Sequence, residues 1–135
     1  MLDGISIAAV AAAGALAFVV GGLWYSPLLF GKQWMQATGL TAAELPAGNP
    51  ALVYGGGLLL TLLAALVFAL FLGPKPAFAF ATGAGFSAGL CWVAASFGIN
   101  YLFEGRPLKL FLINGGYHTV QFTLYGVVLG LWQTG

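Results

Sequence analysis

The sequence has almost no charge: four Lys or Arg and three Asp or Glu side chains are spread over 135 residues. A soluble domain of this size needs far more polar surface to cover its apolar core. The net charge of +1 also offers no basic footprint for phosphate backbones, so we expect no nucleic-acid partner. The composition therefore excludes an ordinary soluble fold before any motif is considered.

Cysteine and histidine are equally scarce, with Cys91 and His118 as the single copies of each. One cysteine excludes a disulfide within the chain, and one Cys with one His is too small a set for an ordinary zinc site. We therefore expect no metal and no cofactor. Cys91 itself is interpreted as a small apolar core residue.

Long apolar runs are what the sequence has instead, since 61% of its residues are hydrophobic and its mean hydropathy is +0.99. Four runs, at about residues 5–25, 51–72, 77–103 and 108–132, each reach the ~20 residues that cross a ~30 Å hydrocarbon layer as helix. The prediction is a single all-α domain over residues 1–135, an integral membrane four-helix bundle with four transmembrane spans.

The connections between these runs contain helix stop and start signals. Ser26-Pro27 follows the first run, and Asn49-Pro50 precedes the second, where Asn can cap a helix whose first residue is Pro. The turn Gly73-Pro74-Lys75-Pro76 is short enough to predict a hairpin between antiparallel helices. In the long first connection, Thr41-Ala42-Ala43-Glu44 has the capping-box spacing and predicts one helical turn.

The few cations indicate how the chain lies in the lipid bilayer, which is its first expected partner. Placing the first and third connections in the cytoplasm puts Lys32, Arg106 and Lys109 inside and leaves Lys75 outside. With four spans, both termini then face the outside.

A faint internal repeat favours two tandem helical hairpins. Trp24-Tyr25 near the end of the first span resembles Asn100-Tyr101 near the end of the third, and Gly55-Gly56 in the second span resembles Gly115-Gly116 in the fourth. Such copies would be parallel repeats, related by an axis along the membrane normal. Chance matching of glycine and aromatic residues is the alternative.

Polar residues converge on the third and fourth spans and form the candidate polar site. On the fourth span they recur at steps of four, three and four, which places them on one stripe of a helix. On the third span a second stripe follows at steps of four. The candidate site comprises Ser96, Asn100, Asn114, His118, Gln121 and Tyr125. Since unpaired polar atoms are costly in hydrocarbon, we expect the two stripes to face each other.

The turn after the third span is the candidate cytoplasmic mouth of this site, formed by Glu104, Arg106 and Lys109. Glu104 and Arg106 are interpreted either as a gate or anion site or as an interfacial ion pair that fixes helix depth. His118 is interpreted either as a proton-sensitive or ligand-contacting group or as an interhelical hydrogen-bonding residue.

Two G-x-x-x-G patterns, Gly85 with Gly89 and Gly126 with Gly130, predict close helix packing, because glycine lets helix backbones approach in lipid. The contacts could lie within one chain or between chains. A four-helix chain encloses little internal space, so we predict a homo-oligomer, most simply a dimer with two-fold symmetry.

Two long blocks carry a family resemblance: residues 100–118, NYLFEGRPLKLFLINGGYH, and residues 23–32, LWYSPLLFGK. Together they resemble the bacterial membrane-protein family known as domain of unknown function 1761, over essentially the whole chain. The resemblance implies a multi-pass integral membrane protein with four spans in the bacterial inner membrane. The family has no established activity to transfer.

Two functions remain open from the sequence. The first is a transporter or channel subunit that acts as an oligomer around the polar site and takes a small molecule or an ion. The second is a structural or accessory membrane protein whose polar stripes are interhelical hydrogen bonds. We expect no enzyme, because Glu104 and His118 lie fourteen residues apart, about 20 Å along a continuous helix, so one chain cannot bring them together as acid and base, although neighbouring chains could.

Overall fold

The computed structural model describes residues 4–40 and 48–134, and every regular element in these ranges is helical. The helices are α1 (Ile7–Trp24), α2 (Gly31–Thr38), α3 (Pro50–Leu72), α4 (Phe78–Glu104) and α5 (Leu108–Thr134). The all-α prediction is confirmed, whereas the predicted count of four helices is wrong, because the described ranges contain five. The turn predicted at Thr41–Glu44 lies outside the described residues.

The additional helix, α2, is short and lies in the first connection. It begins after Phe30 and ends at Gly39, whose φ of 80° gives the left-handed conformation that terminates helices. The sequence-based prediction counted only long apolar runs, and this eight-residue segment with Lys32 and two glutamines is not one. It packs against the beginning of α5.

Three helices, α1, α3 and α4, are long and apolar enough to cross a membrane by length and composition. Helix α5 is 27 residues long, but it carries Asn114, His118 and Gln121 in its first half, which lower its hydropathy. Insertion of α5 as the fourth span therefore stays a prediction.

Asn49 and Pro50 begin α3 as the sequence predicts. The side chain of Asn49 accepts a hydrogen bond from the backbone N–H of Ala51 at 2.9 Å, and Pro50 is the first residue of α3. Ser6 caps α1 in the same way, accepting from Ala9 N–H at 3.1 Å. Gly105, with a φ of 69°, ends α4 and begins the turn into α5.

The middle of α4 is π-helical over Ala88–Ala94, between α-helical segments Phe78–Ser87 and Ala95–Glu104. In an uninterrupted α-helix, the face that begins at Gly85 would return near residues 92, 96 and 100, with about 3.6 residues per turn. The wider π turns delay that return. The face directed at α5 therefore passes through Ala94, Phe97 and Tyr101 instead.

Helix α5 lies at the centre of the fold and packs against α1, α4 and, over a smaller area, α3. On one side, Ala13 and Ala17 of α1 and Ala65 of α3 are fully buried and allow close approach to Tyr125, which is also fully buried. Their small side chains leave room for the Tyr125 ring and let α1 and α3 approach α5 closely. The first half of α3 remains mostly exposed.

On the other side of α5, the four predicted packing glycines all lie in the contact between α4 and α5 of one chain. A Cβ atom on Gly85 would overlap the carbonyl oxygen of Phe122, and one on Gly126 would overlap that of Ala81. A Cβ atom on Gly89 would lie 2.7 Å from the carbonyl oxygen of His118, and one on Gly130 would lie 3.0 Å from Cα of Phe78. The contacts at Gly85, Gly89 and Gly126 leave no space for a Cβ atom, whereas at Gly130 the neighbouring helix would have to move by a few tenths of an ångström.

Helices α3 and α4 are joined by the predicted tight turn, yet they diverge from it. Each packs on a different neighbour, α3 mainly on α1 and α4 on α5. The bundle is therefore open along the side between α3 and α4.

Candidate functional site

A chain of side-chain hydrogen bonds begins at His118 on α5 and ends on α3. His118 Nδ1 lies 2.6 Å from Gln121 Oε1, and Gln121 Nε2 donates to the Tyr125 hydroxyl at 2.7 Å. The Tyr125 hydroxyl then donates to the backbone carbonyl oxygen of Thr61 at 2.8 Å. Gln121 is only 5% exposed, and both its amide oxygen and its amide nitrogen have a hydrogen-bond partner.

The Thr61 carbonyl oxygen, the last acceptor, fixes which atom donates in each hydrogen bond of this chain. A backbone carbonyl can only accept, so the Tyr125 hydroxyl uses its hydrogen on Thr61 and accepts from the Gln121 amide nitrogen. The Gln121 amide oxygen then faces His118 and requires a donor. His118 therefore carries its proton on Nδ1, and in the neutral ring Nε2 has a free lone pair.

Aromatic rings surround the His118 imidazole. Phe97 of α4 stacks on it with ring centroids 4.9 Å apart and planes 9° apart, and Tyr117 presents its ring at 5.2 Å. The ring is half-buried. Within residues 4–40 and 48–134, its hydrogen bond is the one made by Nδ1 to Gln121.

Asn114, one turn before His118, joins three helices. Its Oδ1 accepts from the hydroxyl of Tyr25, at the end of α1, and its Nδ2 donates to the hydroxyl of Tyr101 on α4, both at 2.7 Å. Trp24 Nε1 donates to the carbonyl oxygen of Ile113 at 2.9 Å. Asn114 was predicted as a site residue and the two tyrosines were not; their matching places in the faint repeat were the available signal.

The structure does not bring Ser96 and Asn100 to the other predicted site residues. Both are exposed on the outer face of α4, and the Ser96 hydroxyl donates to the carbonyl oxygen of Trp92 within its own helix at 2.6 Å. The expectation that the two stripes face each other is wrong because the π-helical turns of α4 rotate Phe97 and Tyr101 toward α5 instead.

The predicted mouth residues lie together at the end of α4 and the start of α5. Arg106 Nε and Glu104 Oε1 are 3.2 Å apart, with 44% and 51% of their side chains exposed, and Lys109 is exposed as well. An exposed pair of this kind stabilises a fold by about 0–1 kcal/mol. Arg106 and Tyr101 also line a shallow cavity of about 410 Å³.

A larger cleft, which the sequence analysis did not predict, lies where α3 and α4 diverge. It has a volume of about 580 Å³ and is open to the outside of the bundle. Val67 of α3 and Cys91 and Trp92 of α4 line its walls, and Phe122 of α5 forms part of its floor. Cys91 is exposed, so its interpretation as a core residue is wrong. The lining is almost entirely apolar, so the cleft offers van der Waals contact to an apolar molecule.

The cleft ends one helical turn from the His118 cluster. Val93 of α4 and Phe122 of α5 line the cleft. Phe97 follows Val93 by four residues, and His118 precedes Phe122 by four. Both steps lead in the same direction across the fold. Thr61 precedes the lining residue Ala64 by about one turn on α3. One turn of helix is about 5.4 Å, so polar groups lie directly beyond the inner end of an apolar cleft.

In the described parts of the chain, no three His, Cys, Asp or Glu side chains come together as metal ligands would.

The sequence model of one protein family, described as protein of unknown function DUF1761, matches residues 8–130. No curated protein and no solved structure matches the chain.

Proposed function

We propose that this chain, which belongs to the DUF1761 family of unknown function, is an integral membrane protein. Its proposed role is to bind a hydrophobic small molecule from the lipid bilayer. The observation that carries this proposal is the apolar cleft of about 580 Å³ between α3 and α4. Its volume falls within the range of about 300–1,000 Å³ that small-molecule sites have. Its opening faces sideways, where lipid would surround the bundle.

The size of the cleft favours a chain-like molecule over a partner helix. A helix that crosses the bilayer is about 10 Å wide and about 30 Å long, which is several times the volume of this cleft. An alkyl chain is narrow enough to lie between Val67 and Trp92 and to contact Phe122 at the bottom. We therefore commit to a small molecule with an alkyl chain as the occupant.

The hydrogen bonds of the polar stripe on α5 support a binding role for the protein. Asn114 and Gln121 use both ends of their amides on protein partners, as interhelical hydrogen bonds do. A water-filled pathway would need such groups to face the pathway. We accordingly propose a binding role with no catalysis, in which these residues hold the helices that form the cleft.

Transport is the second candidate, and His118 is the observation that favours it. Its ring is half-buried and has a free lone pair one turn beyond the cleft. In a transporter, a molecule bound in the cleft would move from there to the polar site. We also propose that α5 is the fourth span, that the protein lies in the bacterial inner membrane and that both termini face outside.

A homodimer is proposed as well, although the glycine patterns no longer support it, since α4 and α5 use them within one chain. The support now comes from Asn100, an amide exposed on the outer face of α4. Polar side chains that face lipid are costly and are usually covered by protein. A second copy of the chain would cover it.

Cys91 provides a direct test of the cleft, because it is the single cysteine and lies in the wall. In lipid nanodiscs, 1-methoxydodecane should slow the labelling of Cys91 by N-ethylmaleimide at least threefold. The Val67→Trp variant, which fills the cleft from α3, should lose that protection. Leu63→Trp is the matched control, because Leu63 is exposed on the same helix outside the cleft lining. Equal protection in both variants would contradict the proposal.

A further inference from the structure

We propose that the shallow cavity between the end of α4 and the start of α5 binds an anionic phospholipid, with the phosphate group at Arg106 and an acyl chain along the apolar lining. This cavity shares no lining residue with the cleft, and the inference rests on the proposed insertion of the chain in a membrane. It follows from three features: the apolar lining, the hydrogen-bond donors of Arg106 and the charges next to the cavity.

The lining of the cavity is mostly apolar and includes Gly98, Leu102, Leu108 and Phe111. Its volume of about 410 Å³ lies within the range of about 300–1,000 Å³ that small-molecule sites have. A Cβ atom on Gly98 would lie 2.9 Å from the Phe111 ring, so the glycine lets this ring pack against α4. Leu102 and Leu108 are exposed. An acyl chain would cover these side chains, whereas a small water-soluble anion would leave them uncovered.

Arg106 is the charged residue of the lining. Its Nε donates to Glu104 Oε1 at 3.2 Å. Within residues 4–40 and 48–134, the two terminal nitrogens of the guanidinium group, with four N–H donors, make no hydrogen bond. Arg binds phosphate through two parallel N–H···O bonds, a geometry that these donors can supply. A phosphate group is therefore the acceptor that suits this end of the cavity.

The charges next to the cavity favour an anionic headgroup over a zwitterionic one. Arg106 and Lys109 are positive and Glu104 is negative, so the three side chains leave one net positive charge. Phosphatidylglycerol carries one negative charge, whereas the ammonium group of phosphatidylcholine would be repelled by both cations. Glu104 competes with the phosphate for Arg106, but an exposed pair of this kind is weak enough to be displaced.

The experiment titrates the protein, extracted in a neutral detergent, with dioleoyl phosphatidylglycerol or dioleoyl phosphatidylcholine. Native mass spectrometry gives the fraction of protein with a bound lipid, and the ratio of the two dissociation constants is the preference. Phosphatidylglycerol should bind at least threefold more tightly. Glycerol phosphate, which has the phosphate but no acyl chain, should not displace it at the same concentration. Equal binding of the two lipids overturns the inference, and displacement by glycerol phosphate overturns the assignment to a lipid.

A charge variant separates a built site from general attraction to cations. Arg106→Gln removes the guanidinium group but keeps the backbone hydrogen bond from residue 106 to the Tyr101 carbonyl oxygen, 2.9 Å long, so the turn should still form. The preference should fall to about one. Lys109→Gln is the matched control, because it removes an equal charge outside the lining and should retain most of the preference. Equal losses in the two variants overturn the inference.

Glu104→Gln tests which kind of headgroup is bound. It removes the carboxylate that competes for Arg106, so phosphatidylglycerol should bind more tightly than to the unmodified protein. If the carboxylate instead held the ammonium group of a zwitterionic lipid, this variant would bind phosphatidylcholine more weakly. That result overturns the anionic headgroup.

A bulky side chain in the lining provides a test that leaves every charge in place. Leu102→Trp fills the cavity and should weaken phosphatidylglycerol binding at least threefold, whereas Phe103→Trp, exposed at the next position outside the lining, should not. Equal binding by both variants overturns the inference. If Arg106→Gln fails to assemble, this pair and the unmodified protein decide.

Cys91 labelling separates this inference from the proposed function of the cleft. Arg106→Gln should leave the protection of Cys91 by 1-methoxydodecane unchanged, because Arg106 does not line the cleft. Loss of the lipid preference with intact protection of Cys91 is the expected result for this variant. An unmodified protein that protects Cys91 but shows no lipid preference overturns this inference alone, and the reverse result overturns cleft binding alone.

Discussion

Tyr25 and Tyr101 bind opposite ends of the same amide. The Tyr25 hydroxyl donates to Oδ1 of Asn114, and Nδ2 of Asn114 donates to the Tyr101 hydroxyl, each at 2.7 Å. The two tyrosines occupy matching places in the predicted internal repeat, and Asn114 lies on α5 between them. One side chain therefore ties α1, α4 and α5 together at one end of the bundle.

Asn114→Leu should destabilise the protein by about 1–3 kcal/mol, because it removes both hydrogen bonds and leaves two partly buried hydroxyl groups unpaired. The free energy of unfolding in mixed detergent micelles measures the effect. Ser96→Ala is the matched control, since Ser96 is exposed and bonds only within its own helix. We expect it to change stability by less than about 0.5 kcal/mol. Equal losses in the two variants would show that Asn114 does not join the helices.

Gly126→Ala should also be destabilising, by at least about 1–3 kcal/mol, because its Cβ atom would overlap the backbone carbonyl of Ala81 and side-chain movement cannot relieve that overlap. The same unfolding measurement applies. Gly83→Ala is the control, because a Cβ atom there meets nothing within 4 Å. Alanine is the better helix former, so this variant should be neutral or up to about 1 kcal/mol more stable. A tolerated Gly126→Ala would mean that α4 and α5 lie further apart than described.

The proposed dimer predicts a cross-link at Asn100. In a Cys91→Ser background, Asn100→Cys should form a disulfide-linked dimer on oxidation in membranes, because the proposed interface places two copies of the exposed position together. Leu59→Cys, exposed on α3, serves as the comparison. Gel electrophoresis without reductant measures the dimer fraction. Cross-linking no greater at residue 100 than at residue 59 would exclude this interface.

The topology predicts unequal labelling of the three lysines. In intact cells, a membrane-impermeant amine reagent should modify Lys75, and Lys32 and Lys109 should react only in inverted membrane vesicles. Mass spectrometry of peptides identifies the modified residues. The reverse pattern would place both termini in the cytoplasm.

The sequence was sufficient to predict what depends on local pattern. Continuous apolar runs indicate the long helices, and Asn49 with Pro50 marks the beginning of α3. The steps of four and three on α5 place His118, Gln121 and Tyr125 on one face, as the hydrogen-bond chain requires. These features follow from helical periodicity and capping chemistry alone.

The sequence was insufficient where one helix responds to another. The π-helical turns over Ala88–Ala94 have no signature in the pattern, yet they decide that Phe97 and Tyr101 face α5 and that Asn100 does not. The cleft was likewise missed, because it results from the divergence of α3 and α4 and no motif of either helix encodes it. Thr61 takes part in the site through its backbone carbonyl, which every residue has.

The glycine contact between α4 and α5 gives the two walls of the cleft unequal freedom to move. Displacing α4 would separate backbones that touch at all four packing glycines, from Gly89 at one end of the contact to Gly130 at the other. Displacing α3 would break the hydrogen bond from Tyr125 to Thr61, separate the Phe68 ring from Phe122 and Tyr125, and slide alanine faces over α1. Any change in the width of the cleft is therefore a tilt of α3 against a fixed pair of helices, and Tyr125 is the side chain on which that tilt would pivot.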